Sequence, residues 1–374
     1  MVAAASVVVA VGTAMGMVSA LDDKEGNDEA RPLLTQSPSL EPLPAVPTPT
    51  PTPTPSKSSA SPSPSRSSAE PSPSPSKTKK RTTTQAVYAG LYRHPDSNVL
   101  EWVNSHPGDP RAAVIRSRIA DQPAAVWFAD YTPDNITSRV RAVTSAGAAQ
   151  GRVPVVVAYT IPGRDCGGAS QGGAPDLASY DGWIDKFAAG LGSREVIVIL
   201  EPDAIAQSDC LSAGERADRF ASLARAGRVM KAANPNARVY YDAGHSEWNS
   251  PASQAALLRQ AGAASAASSD GIFSNVSNFN RTDAEVAYTR QVLSALGGPA
   301  SLGAVIDTSR NGNGAPTDGE WCDPDGRKLG QAPTLNTGES RIDAYLWVKL
   351  PGESDGCKGT PGDFSPEYAY ELAQ

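Results

Sequence analysis

VVVAYTIPGRDC (Val155–Cys166) and VIVILEPDAIA (Val196–Ala206) are two apolar, strand-like runs that each stop on a carboxylate in loop-forming sequence, at Asp165 and Asp203. In an alternating β/α architecture the C-terminal ends of the strands face the active site. Two aspartates delivered there, one strand apart, suit acid–base work on a shared ligand. Such a pair sets up an expectation of glycoside cleavage, to be weighed against the rest of the chain.

Working outward, the same alternation continues. Ser212 to Ala233 reads as an amphipathic helix, with Ser212 as N-cap and Glu215 three residues on, a capping-box pattern. The strand ARVYYDAG follows, then a helix from Pro251 to Ala264, the strand GIFSNV, a helix from Thr282 to Leu296, and the strands GAVIDTS and AYLWVK. No internal repeat is visible. A parallel α/β fold with helices outside the sheet is expected.

Composition divides the chain. It has 374 residues, and its 32 prolines are unevenly spread: Thr35 to Thr84 is dominated by Pro, Ser and Thr. Such a stretch buries too little apolar surface to offset chain entropy, so residues 22–84 read as a linker without a fold. Residues 85–374 then form one domain, of a size common for a single α/β barrel. Val2 to Leu21 is apolar over nearly a bilayer's span, and Val18-Ser19-Ala20 offers the small residues of a cleavage site. Residues 1–21 are therefore expected to be a signal peptide or a membrane anchor, and, with no basic n-region, the true start is expected upstream. Either way the domain is exported, secreted or tethered to the outer face of the membrane.

The four cysteines include no CxxC pair, and the three histidines no HExxH, so zinc and thioredoxin-type chemistry have no support. Two disulfides are the natural reading for an exported domain. Of the three possible connectivities, the sequential one, Cys166 with Cys210 and Cys322 with Cys357, would tie the loops after the two candidate catalytic regions. A net charge of −7 argues against a nucleic-acid partner. The basic cluster from Lys77 to Arg81 lies in the linker and reads as a solvated spacer.

Polar residues recur at the strand ends. Asp242, His245 and Trp248 follow ARVYY; Asn275, Asn278 and Asn280 follow GIF; Asp307, Thr308, Ser309 and Arg310 follow GAVI; Lys349, Glu353 and Asp355 follow AYLWV. A polyhydroxylated ligand calls for this mixture of carboxylates, amides and aromatic faces.

At this point the chain resembles a known family. AYTIPGRDC, ILEPDAIA, DAGHSEW, SNVSNFN, VIDTSRNG, EWC, LNTG and WVKLPGESDG look like the signature blocks of glycoside hydrolase family 6, in family order across the folded domain. The resemblance implies a distorted, incomplete TIM-like barrel with about seven parallel strands. It further implies an inverting β-1,4-glucanase, acting on cellulose or a related glucan with no metal or organic cofactor; the chain is expected to be a monomer.

By motif, Asp203 is the proton donor, Asp355 the proton acceptor, and Asp165 keeps Asp203 protonated and serves the water network. The acceptor role stays open between direct contact and a water chain. Tyr159 would crowd the sugar to be cleaved. His245, Asn278, Lys349 and Glu353 would bind hydroxyls, Trp248 and Trp321 would stack on sugar rings, and Asp242, counted among the substrate-binding residues, would with Arg310 orient the groups around it. Trp347 reads as core, Asn275 and Asn280 as turn caps, and Ser170 falls in the mobile loop after Asp165. Tyr92, in the loosely matching segment YAGLYRHPDS, stands where an aromatic platform is expected, with His94 replacing Asn or Asp. The short path after EWC favours an open cleft and endo action. Exo action, or a non-catalytic glucan-binding role at the cell surface, remain the alternatives.

Overall fold

The computed structural model describes residues 90–374. The expectations for residues 1–21 and 22–84 lie outside the described residues. Seven strands form one sheet in the order of the sequence: β1 (Val126–Phe128), β2 (Val155–Ala158), β3 (Val196–Leu200), β4 (Ala237–Asp242), β5 (Gly271–Ser274), β6 (Gly303–Asp307) and β7 (Ile342–Leu346). Every neighbouring pair is parallel.

Two short helices, α1 (Asn98–Ser105) and α2 (Ala112–Ile115), precede the sheet. The crossovers are α3 (Ile136–Ala149), α4 (Leu177–Gly190), α5 (Ala213–Ala233), α6 (Pro251–Gln260) and α7 (Thr282–Leu296), and α8 (Pro366–Ala373) follows β7. The connection from β6 to β7 carries no helix and runs instead as a long rim loop from Thr308 to Arg341.

Covering both faces explains the uninterrupted apolar runs. Every residue of β2 and of β3 is buried, as parallel sheets demand. Alternate residues split between two cores. Val156, Ala158, Val198, Leu200, Val239 and Tyr241 pack against the helices, among them Trp183 and Phe187 of α4. Val155, Val157, Ile197, Ile199, Tyr240 and Phe273 fill the concave side.

Helix starts follow the sequence closely. The Ser212–Glu215 capping box is formed in both directions, and Ser250 caps α6 with Pro251 in its first turn. The helix expected to reach Ala264 ends at Gln260, and β7 stops at Leu346, one residue before Trp347. Trp347 is buried, with its indole N–H donating to the Gln331 carbonyl.

The barrel stays open between β1 and β7. Among the described residues two hydrogen bonds bridge that seam: Ala125 N–H to the Trp347 carbonyl (2.9 Å) and Trp127 Nε1 to the Val348 carbonyl (2.7 Å). The result is a curled half-barrel whose strands all deliver their C-terminal ends to one rim.

Candidate active site

The loops after β2 and β3 carry the two aspartates read first. Glu201 directly follows β3 and reaches across to the loop after β2, accepting hydrogen bonds from the amides of Thr160 and Ile161 at 3.0 Å each. Burial pushes Glu201 up to about 7 in spite of those donors. Two residues on, Asp203 sits in the left-handed region, with φ at 69°. Burial comes first in holding its carboxyl well above the usual carboxylate range, followed by the charges of Asp242, Asp165 and Asp355. A carboxylic acid kept protonated in a cleft can donate that proton.

Asp242, expected among the ligand contacts, is 2% exposed. Its oxygens accept from the amides of Ala206 (2.9 Å), Ile205 (3.2 Å) and Gly244 (2.8 Å). It is a buried clamp on the turn that carries Asp203, as the orienting reading of it required, and its carboxylate is taken up by backbone.

Asp165 and Tyr159 meet through Ser170. Asp165 Oδ2 accepts from both the amide (2.8 Å) and the hydroxyl (2.9 Å) of Ser170, and the Ser170 hydroxyl lies 2.9 Å from the Tyr159 phenol. Arg164 supports this loop by stacking on the Tyr159 ring at 4.4 Å and donating to the carbonyls of Tyr159 and Ala129.

On the opposite side, Asp355 is an ion-paired carboxylate. Arg310, completely buried, donates to both of its oxygens (2.7 and 3.1 Å), and Lys349 Nζ lies at 2.9 Å. Asp323, which the sequence reading did not single out, holds the whole turn: it accepts from the Ser354 hydroxyl and from the amides of Asp355, Cys357 and Lys358. Burial pushes Asp323 up, but those donors outweigh it and bring the carboxyl down to about 2. Its position beside a disulfide cysteine was the available signal.

Lys349 and Glu353 do not form a pair with each other. Lys349 binds Asp355 and the Ser354 carbonyl, whereas Glu353 accepts from the Asn98 amide at 3.0 Å and is pushed up to about 7 by burial. Glu353 also lines an open pocket of about 270 Å³ at the seam, with Trp127, Leu350, Pro351 and Phe364. This pocket holds neither Asp203 nor Asp165 and adjoins them through Trp127, whose ring meets Tyr159 edge-on at 5.2 Å. Trp127 is a half-buried indole missed in the sequence because β1 is only three residues long.

The exposed indoles are Trp248, 38% exposed, and Trp321, 56% exposed. Both stand on rim loops. His245 lies against Trp248 with ring centroids 5.3 Å apart, and burial pushes its imidazole down to about 4. Asn278 is half-buried, its amide donating to the Val276 carbonyl. Tyr92 is a correction. It is 3% exposed and packs with Phe128, Ile136 and Val140 in the layer between sheet and helices, so it has no free face to serve as a platform.

The sequential disulfides are formed, Cys166 with Cys210 and Cys322 with Cys357, and they fit an extracellular protein. Each ties a loop bearing a site carboxylate.

A half-barrel that brings a protonated aspartic acid, a second carboxylate network and open-faced indoles to one rim has the make-up of a carbohydrate-cleaving hydrolase. Comparison with known proteins gives the family: residues 83–371 match the model for glycosyl hydrolases family 6, and the chain belongs to that family. An endoglucanase 1 of a Streptomyces species is 53% identical over 292 residues, covering 78% of this chain and 80% of that protein. Endoglucanase A of Thermobispora bispora is 50% identical, over 76% of this chain and 61% of its own length. Among solved structures, an endoglucanase from Mycobacterium tuberculosis, bound to methyl-cellobiosyl-4-deoxy-4-thio-β-D-cellobioside, superposes with a TM-score of 0.70 at 38% identity, over 76% of this chain and 96% of that one.

Proposed function

We propose that this protein is an endoglucanase that hydrolyses internal β-1,4-glucosidic bonds of cellulose or a related glucan with inversion at the anomeric carbon. The observation that carries the reading is Asp203: a carboxylic acid raised by burial and by three neighbouring carboxylates, at the rim of a family 6 barrel. It is the general acid that protonates the departing glycosidic oxygen. Trp248 and Trp321, exposed on the rim, support stacking of sugar rings.

Both oxygens of Asp355 already accept hydrogen bonds from cations, so taking up a proton there would require breaking an ion pair. That arrangement favours the water-chain version of the mechanism. In it Ser170 orders the attacking water, whose proton passes along the water chain to the Asp165 carboxylate, while Asp355 holds Arg310 and Lys349 in place. Tyr159, locked to Ser170, crowds the ring that is to be cleaved. Trp127 and Glu353 extend the glucan site toward the seam pocket. The protein acts outside the cell, free or tethered.

Carboxymethylcellulose and cellohexaose test this directly. Viscosity should fall faster than reducing ends accumulate, and the first products from cellohexaose should be α-anomers. Asp203→Asn should lower the rate on unactivated substrate by roughly 10²–10⁴-fold. First-formed β-anomers, or an Asp203→Asn variant that kept about a tenth of the native rate, would show the assignment to be wrong.

A further inference from the structure

His245 stands just beyond β4, and Asn280 reaches it from the loop after β5. Asn280 is 4% exposed, and its main chain is held from several directions. Its N–H donates to Asn275 Oδ1 (3.0 Å), and its carbonyl accepts from Asn275 Nδ2 (3.1 Å) and Asn311 Nδ2 (2.9 Å). Asn275 is itself in the left-handed region, with φ at 68°, and is tied to β6 through the Asp307 carbonyl at 2.9 Å. With its backbone fixed in this way, Asn280 turns its side chain to His245, Nδ2 lying 2.8 Å from Nδ1.

A second donor settles the proton. The amide of Glu247 also points at His245 Nδ1, at 3.3 Å. A backbone N–H can only donate, so Nδ1 carries a lone pair, and the Asn280 amide must present its NH₂ group to the ring. The imidazole proton is then on Nε2.

We propose that Asn280 is a positioning residue for glucan cleavage: it locks His245 in the Nε2–H tautomer, so that the ring offers a fixed donor to a hydroxyl of the glucan. This rests on the functional reading above. Without the lock, a neutral imidazole divides its proton between two nitrogens, and only one of the two forms can donate from Nε2. The contact with Trp248 restrains the ring as well, which leaves the tautomer as the remaining freedom. Asn280, read from the sequence as a turn cap, thereby connects the asparagine ladder of β5 and β6 to the sugar-binding rim.

The test is a ¹⁵N spectrum of the imidazoles in the full chain at neutral pH. With three histidines in all, His245→Gln identifies the His245 signals by their loss. The wild-type protein should show an acceptor-type Nδ1 and a protonated Nε2. Asn280→Asp, close to isosteric, replaces the donor by an acceptor. The carboxylate, at the site of the 2.8 Å partner, competes against the longer 3.3 Å Glu247 amide, and it should move the proton to Nδ1 and raise KM for cello-oligosaccharides about tenfold, with kcat changed far less, the loss expected for one hydrogen bond. A protonated Nδ1 in the wild type would overturn the proposal even if the variant failed to fold, as would unchanged imidazole signals in Asn280→Asp. A moved proton with unchanged KM would also overturn the role in binding. Failure of the glucanase reading is distinguishable, because it would show as absence of hydrolysis by a wild-type enzyme whose spectrum is still as expected.

Discussion

Seven non-glycine residues with positive φ stand on the rim: Asp165, Cys166, Glu201, Asp203, Asn275, Ser277 and Asp323. Left-handed backbone costs of order 1 kcal/mol or more for such residues and persists where surrounding contacts over-determine it. Here the contacts are identifiable. Glu201 is pinned to two amides of the loop after β2, Asp203 lies in the turn held by Asp242, and Asp323 collects the donors of the Asp355 turn. Asp323 allows a sign to be worked out. Its folded value, about 2, lies below the ordinary 3.8, so it contributes stability above the ordinary value and loses it as pH falls through about 2. Asp323→Asn should therefore cost about 2 kcal/mol at neutral pH, judged from the size of that shift, and less near pH 2. Urea denaturation at the two pH values measures this; an equal cost at both would remove the electrostatic explanation.

At the scale of elements, the strands were legible because β-branched apolar runs between helix caps leave little choice. VVVA and VIVIL became β2 and β3, and the helix expected from Thr282 to Leu296 has those bounds. β1 escaped notice, being three residues long with only one of them fully buried. The rim loops obey different physics, since they are held by cross-links and by carboxylates that accept backbone amides. Cys322–Cys357 joins the Trp321 loop to the Asp355 turn and spans 35 residues, a closure that contributes about 4 kcal/mol on the chain-entropy model. Replacing both cysteines by serine should lower stability by up to that amount. It should also lower kcat, because Asp323 and Asp355 flank the bridge. Thermal melting and rates on cellohexaose read the two effects, and a variant with wild-type values for both would show the bridge to be dispensable.

At the scale of the whole molecule, the sheet curls far enough to gather its strand ends but does not close. Trp127 is placed at that opening, with its indole N–H bonded across the seam to β7's continuation and its ring in the pocket beside Tyr159. Trp127→Phe keeps an aromatic face and removes the cross-seam bond. It should cost about 1 kcal/mol of stability while leaving most of the glucan affinity. A loss of affinity without loss of stability would mean that the indole N–H serves the ligand and the seam does not need it.

What the sequence determined by itself was the periodicity of the elements, the parallel α/β class, the family motifs and the carboxylates at the strand ends, because each of these is written in local residue order. Tertiary structure decided the rest. Tyr92 looked like a platform and is core, since exposure depends on which layer a ring falls into. Lys349 and Glu353 were both read as hydroxyl binders, yet Lys349 is ion-paired with Asp355 and Glu353 accepts from Asn98. Asp242 looked like a ligand contact and instead clamps the Asp203 turn. Asp323 was marked only by its place beside Cys322, and Trp127 and the pairing of Asn280 with His245 left no local mark. Each acts across distant stretches of chain, and burial, ion pairing and the choice of hydrogen-bond partner exist only once those stretches have been brought together.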